Sequence, residues 1–314
     1  MSLVSRLLDA TIVLSFDRTG YRRHAASFRP EDLDVDLGGR VAVVTGANSG
    51  IGKATSRALA ERGAEVFLLC RSEERGRAAL AQLREATGSR KLCLVTVDVA
   101  EPESVRRAVR AIAAERVHVL VNNAAVLPDE RRENSRGVET TFATNVLGPH
   151  LLTRLLEPRL RAAGRARVVN VSSGGMYARR LSLDDWNWKK RPFDGVVAYA
   201  EAKRALVVLT EAQAERLRGS GVTANAMHPG WADTPAVRTS LPRFRRAMQG
   251  RLRTPEEGAD TVIWMSVCPR LEGETGRFYF DRAPRPTHLI PWTKETSHDR
   301  RRLVRLLERL IKIR

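Results

Sequence analysis

The chain has 314 residues, 43% of them hydrophobic, enough for one large core and too many for a disordered chain. Its 54 Lys and Arg outnumber 36 Asp and Glu, a net charge of +18, and only seven of the 54 are Lys. That surplus is permanent arginine charge, which attracts anions such as nucleic acid, acidic lipid or a phosphorylated cofactor, and composition does not choose among them.

Read from the N-terminus, residues 1–38 stand outside the repeating pattern. Their mildly apolar start is broken by Arg6 and Asp9, so it is not read as a signal peptide. From residue 40 short apolar runs alternate with helical patterns. RVAVVT (40–45), AEVFLLC (64–70), KLCLVTVDV (91–99), HVLVNNA (118–124), RARVVNVSS (165–173), VTANAMHP (222–229) and GRFYF (276–280) are expected strands. Helices are expected over 51–62, 73–87, from Pro102, and over 136–160, 197–218 and 256–267. Strands alternating with helices predict an α/β fold: a doubly wound parallel sheet of Rossmann type, helices on both faces, one domain over 39–281 with terminal extensions. Cys70, Cys93 and Cys268 form no CxxC pair, so no disulfide framework and no metal site is expected. A reducing, cytoplasmic compartment follows as the expectation.

The first strand runs into Thr45-Gly46-Ala47-Asn48-Ser49-Gly50-Ile51-Gly52. Glycines there let the chain turn sharply and bring backbone N–H groups against a pyrophosphate at the positive end of the next helix. A glycine cluster alone is a weak signal; its place between a strand and a helix strengthens it. The end of the second strand chooses the dinucleotide, because an acid there would accept from a ribose hydroxyl whereas a base would meet a 2′-phosphate. Arg71 stands there, so NADP(H) is preferred, with NAD(H) as the alternative. Asp98, followed by Val99, ends the third strand and is a candidate for the adenine amino group or, more plainly, a helix cap.

Tyr199 and Lys203 are four residues apart on an expected helix, one turn, and share a face. A phenol is a poor acid–base group at neutral pH, and a nearby ammonium is expected to lower its pKa. Ser172 and Ser173 end the preceding strand, where a hydroxyl could hold a carbonyl oxygen, with Ser173 the preferred one. All these groups fall at the carboxyl edge of the sheet, where such folds bind ligands.

In this order TGANSGIG, Asn122-Asn123-Ala124-Ala125, Asn145, VVNVSS, YAEAK and Pro229-Gly230-Trp231-Ala232-Asp233-Thr234 resemble the short-chain dehydrogenases/reductases over about residues 39–281. SSGGM, RPFDG and MHPGWADTPAVR narrow the resemblance to one subgroup. The resemblance implies a catalytic tetrad of Asn145, Ser173, Tyr199 and Lys203: Tyr199 exchanges the proton, Lys203 holds the nicotinamide ribose, Ser173 orients the carbonyl and Asn145 anchors a water. It adds Asn123, Ala124, Pro229, Gly230, Trp231 and Thr234 to the cofactor contacts. The implied partner is a small-molecule carbonyl or alcohol. NNAA replaces the commoner NNAG, and Ser173 and Tyr199 lie 26 positions apart, with Leu181, Trp186, Trp188 and Phe193 in the longer loop. Those aromatics either line an apolar pocket with Trp231 or pack the loop onto the body. The alternative function is a dinucleotide-binding regulatory or interaction protein without turnover. Nucleic acid is not expected as a partner, for want of a recognition motif. Oligomeric state is left open.

The tail from 282 ends in a basic amphipathic stretch, with Leu303, Leu306, Leu307, Leu310 and Ile311 at helical spacing among Arg301, Arg302, Arg305, Arg309 and Lys312. It either lies on an anionic membrane surface, making the protein peripheral, or docks its apolar stripe on the body, with Leu3, Leu7, Leu8 and Ile12 at the other terminus as candidate counterparts. Docking is favoured.

Overall fold

The computed structural model describes residues 12–312. Two short helices, α1 (Ile12–Phe16) and α2 (Arg18–Ala25), form an N-terminal arm ahead of the sheet. The body then alternates: β1 (Val41–Thr45), α3 (Gly50–Glu61), β2 (Glu65–Cys70), α4 (Glu73–Thr87), β3 (Leu92–Thr96), α5 (Pro102–Ala111) and β4 (Val119–Asn122). After α6 (Gly148–Ala162) come β5 (Ala166–Val171), α7 (Gly195–Arg216) and β6 (Val222–His228). Two short helices, α8 (Pro235–Ser240) and α9 (Pro242–Ala247), precede α10 (Pro255–Val267), β7 (Phe278–Phe280), β8 (Ala283–Arg285) and α11 (Ser297–Lys312).

The strands form one sheet in the order β3-β2-β1-β4-β5-β6-β7-β8. Every neighbouring pair is parallel except β7 and β8. Order reverses between β1 and β4, the switch point at which α/β sheets open a ligand crevice. Alternate strand residues feed opposite layers. Val43 packs with Leu151, Leu156 and Leu206 on one face, and Ala42 and Val44 pack with Leu59, Val262 and Ile263 on the other.

The expected doubly wound sheet is present, with two differences. The long helix expected over 136–160 begins with a short turn (Thr140–Phe142), widens into a π-helical turn (Ala143–Leu147), and only then becomes α6. The strand β8 was not expected, and it lies beyond residue 281. It is joined to β7 through Asp281 and Arg282, both left-handed at φ 49° and 55°. A tight hairpin needs that conformation and usually takes it from Gly or Asn, so this turn has no sequence signature.

The tail helix docks. Leu303, Leu306, Leu307, Leu310 and Ile311 are buried in the same core cluster as Leu206 and Leu209 of α7. Its rim is pinned by ion pairs, Glu308 to Arg154 (3.1 Å), Arg300 to Glu211 (2.8 Å) and Arg302 to Asp184 (2.8 Å), and Glu308 also lies 3.3 Å from His150 Nε2. The stripe that the membrane reading needs is therefore occupied by the body. Leu3, Leu7 and Leu8 lie outside the described residues, as does the side chain of Ile12. No helix among the described residues is long and apolar enough to cross a membrane.

Candidate active site

At the switch point β1 ends in a left-handed Gly46, and the chain doubles back into α3. Gly52 is required by close approach: a Cβ there would lie 2.4 Å from the Gly46 carbonyl oxygen and 2.5 Å from Asn123 Nδ2. Thr45 Oγ1 donates to the Val121 carbonyl (3.2 Å) and accepts from the N–H groups of Asn123 (2.9 Å) and Ala124 (3.0 Å). Asn123 Nδ2 in turn donates to the Thr45 carbonyl (2.9 Å). Thr45, Asn123 and Ala124 thus hold the turn's shape. Ser49 is the N-cap of α3 but makes no side-chain cap, so the first N–H groups of α3, with Asn48, Gly50 and Ile51 beside them, present an anion-binding helix start. Thr234 packs its methyl group 3.1 Å from where a Gly50 Cβ would be and caps α8 through Val237 N–H (3.4 Å).

Arg71 follows β2, is exposed, and has no partner among the described residues. Asp98 does not cap the following helix, whose N-cap position is Glu101 with no side-chain bond; its Oδ1 instead accepts from the Ala100 N–H (2.9 Å) in the connecting turn, while its own N–H donates to Ser104 (3.0 Å). Val99 meets α6 closely, its carbonyl oxygen 2.4 Å from where a Gly148 Cβ would lie. Charge, turn and helix start together suit a phosphate-bearing dinucleotide.

The tetrad positions come from three elements: the π-helical turn, the turn after β5, and α7. Asn145 sits in the π-helical turn, fully buried, with Oδ1 accepting from Val126 N–H and Nδ2 donating to Val126 C=O, both 3.1 Å. A π turn inside a helix commonly marks a functional site. Ser172 is buried, and its hydroxyl donates to the Lys203 carbonyl (2.9 Å). Ser173 instead stands partly exposed, its hydroxyl near enough to the Tyr199 phenol to lower its pKa. The structure brings Ser173, not Ser172, to Tyr199. Asp194 caps α7 through Val197 N–H (3.0 Å), placing Tyr199 in its second turn.

One expectation is corrected. Lys203 does not lower the Tyr199 pKa here; burial pushes the phenol up to about 12, and the Ser173 hydroxyl recovers only part of that. The Lys203 ammonium lies 5.4 Å from the Tyr199 ring centroid and donates to the Val171 carbonyl (2.8 Å). Burial without an anionic partner draws Lys203 itself down to about 7. The two side chains share a helix face, but the ammonium is directed at the strand, not at the phenolic oxygen.

The loop aromatics pack onto the body, and none of them lines a pocket with the tetrad. Trp186 lies 4.9 Å from Phe142, and Trp188 is buried against Phe193 (5.4 Å) beneath the Arg191 guanidinium (3.7 Å). A cavity of about 760 Å³ between this loop and α11 is lined by Leu183, Trp186, Leu306 and several cations, and no tetrad residue borders it.

Arg253 carries no signal in the sequence. It is fully buried and ties the arm to the Pro229–Thr234 loop. Its guanidinium holds Asp281 (2.5 and 2.8 Å) and the carbonyls of Ser15 (3.0 Å), Phe16 (3.0 Å) and Pro229 (3.5 Å). Asp281 also pairs with His24 at 2.6 Å. Trp231 N–H donates to Phe16 C=O (2.9 Å), so Pro229, Gly230 and Trp231 rest on the arm.

Residues 40–243 match the short chain dehydrogenase family model. Dehydrogenase/reductase SDR family member 12 of Bos taurus is 40% identical over 298 residues, 94% of this chain and 93% of that protein. This is the subgroup that the loop segments resemble. Retinol dehydrogenase 13 of Mus musculus is 37% identical over 79% of this chain and 78% of its own. Among solved structures, 3-ketoacyl-(acyl-carrier-protein) reductase of Brucella melitensis, complexed with NADH, is 26% identical with a TM-score of 0.62 over 77% of this chain and 96% of that one. L-Sorbose reductase of Gluconobacter frateurii, complexed with NADPH and L-sorbose, is 25% identical with a TM-score of 0.65 over 79% and 96%.

Proposed function

The chain belongs to the short-chain dehydrogenase/reductase family of oxidoreductases, and from that premise we propose that it interconverts a carbonyl and an alcohol with NADP(H), Tyr199 serving as acid and base. The observation that carries the reading is the meeting of Ser173 with Tyr199 beside a buried Lys203. When bound, the dinucleotide supplies or accepts the hydride. Gly46, Ser49, Gly50, Ile51 and Gly52 would hold its pyrophosphate at the start of α3, and Asn48, Asp98, Val99, Asn123 and Ala124 would flank it. Pro229, Gly230, Trp231 and Thr234 would border the nicotinamide, with Lys203 at its ribose. Arg71 is the residue that favours a 2′-phosphate, being exposed and without an acidic partner.

The phenol of Tyr199 is protonated at neutral pH, as a donor to a carbonyl oxygen must be. Ser173 holds the same oxygen and so fixes the line of transfer. Lys203, close to its titration point near 7, can pass a proton on, and Asn145, clamped to Val126, is held fixed in the π-helical turn. A lipophilic substrate is supported by Val196, which is 55% exposed on the same helix face one turn before Tyr199, and by the likeness to a retinol dehydrogenase. The test is Tyr199→Phe. Turnover of any accepted carbonyl should fall by at least about 100-fold while NADPH affinity stays within about twofold, since the phenol gives the proton and not the binding. Equal turnover in both forms would remove Tyr199 from the chemistry. Cofactor binding with no turnover on steroid, retinoid, fatty-aldehyde and quinone panels would favour the binding protein without catalysis.

A further inference from the structure

We propose that His228 is a positioning residue for Ser173, wedged in place by Phe16 of the N-terminal arm. The inference rests on the reading of Ser173 and Tyr199 as the proton-transfer pair. His228 ends β6, is 2% exposed, and accepts the Gly174 N–H on Nδ1 at 2.9 Å. Gly174 follows Ser173, and the Ser173 hydroxyl accepts in turn from Gly175 N–H (3.3 Å), so the amide that His228 holds lies inside the turn that aims that hydroxyl. The imidazole is packed between two rings: Phe16 edge-on at 4.3 Å and Phe280 stacked at 5.0 Å. Position 174 admits no side chain, because a Cβ would lie 2.5 Å from Phe16 and 2.8 Å from His228 Nε2. Glycine here lets the serine turn lie flat on both rings.

The other nitrogen supports the argument. With Nδ1 accepting, the neutral ring carries its proton on Nε2, which is buried and has no partner among the described residues. An apolar side chain would avoid that cost, so the Nδ1 bond is what the imidazole contributes at this place. Burial, aided by the Arg253 charge, holds the ring down to about 3, so Nδ1 stays an acceptor at every working pH. The arm is fixed independently, through Arg253 and the Phe16 carbonyl, which gives the wedge a rigid backing.

His228→Leu removes the acceptor and keeps an apolar filling; His228→Asn restores an acceptor near the Nδ1 position. Two readouts are needed, kcat on the best substrate and hydrogen exchange of the Gly174 amide in the full-length protein with NADPH. In His228→Leu the Gly174 amide should exchange faster and kcat should fall about 100-fold, the scale of a small misplacement, with the NADPH Kd within about twofold. His228→Asn should recover both. Should His228→Leu not fold, Phe16→Leu serves instead, with faster Gly174 exchange and lower kcat expected. A protected Gly174 amide and wild-type kcat in the Leu variant, or an Asn variant no better than Leu, would overturn the proposal. If the wild type turns over nothing, the reading of function fails by itself, and the exchange pattern still decides whether His228 holds the serine turn.

Discussion

Lys203 and Tyr199 are a pair by spacing and strangers by electrostatics, and the difference has a measurable sign. The folded pKa of Lys203, about 7, lies below the ordinary 10.5. Between those values the unfolded chain binds more protons than the folded one, so this group makes stability rise with pH, and at pH 7 and below its burial as an ammonium is a cost. Lys203→Met should remove that slope. Denaturant melts at pH 7 and pH 9 are expected to show wild type gaining on the order of 2 kcal/mol relative to the Met variant. Parallel curves for the two proteins would show that Lys203 keeps its ordinary charge when the site is empty of ligand. Arg71 is the second residue-scale case. It has neither burial nor an ion pair to explain it, so Arg71→Asp should cost the folded protein little. It should instead move preference toward NADH, by removing a phosphate partner and adding a repelling charge. Titration of both cofactors by fluorescence checks this, and a wild type that already prefers NADH would contradict the reading of the strand end.

Elements written in short spacings were legible, and those built by distant partners were not. The glycine turn, the Tyr199–Lys203 turn of α7 and the parallel strands each declare themselves within a few residues, because backbone geometry fixes which neighbours can meet. The arm and the β7–β8 hairpin do not. His24 and Asp281 are 257 positions apart, and the left-handed Asp281–Arg282 turn is imposed by contacts: Asp281 to Arg253 and His24, Arg282 to Asp260 at 2.6 Å. Within the site, spacing placed Tyr199 and Lys203 on one face but could not say that Val171 would capture the ammonium. Nor could it separate Ser172 from Ser173; that needed the partner of each hydroxyl. Arg253→Leu should therefore act on an element rather than on chemistry. Removing one member of a buried pair costs about 3–5 kcal/mol, because the other is left buried and charged. Since the Pro229–Thr234 loop rests on the same guanidinium, NADPH affinity should fall together with stability. Unchanged urea midpoints would show that His24 alone satisfies Asp281.

At the scale of the whole molecule, the tail helix decides whether the basic surplus is a membrane device or a by-product of a surface. An amphipathic helix has one apolar stripe, and here it is inside the core with Leu206 and Leu209. The cations that remain outward, Arg305, Arg309 and Lys312, are exposed and face solvent from a docked helix. Charge without an inserted stripe gives only screened attraction, weakened within about 8 Å at physiological salt. Full-length protein should therefore stay in the supernatant with anionic liposomes at that salt, and pelleting that requires the tail would show that α11 leaves its dock. The same packing predicts what truncation does. Five buried Leu and Ile side chains contribute about 7 kcal/mol at the low end of the usual scale, a large part of the 5–15 kcal/mol that folded domains possess. A chain ending at residue 296 should melt at a much lower temperature, and the face left bare on α7 should bind an apolar dye and drive self-association. A truncated chain that melts as the full one does would mean that α11 is a passenger, and that the ion pairs from Glu308 and Arg300 hold nothing the core needs.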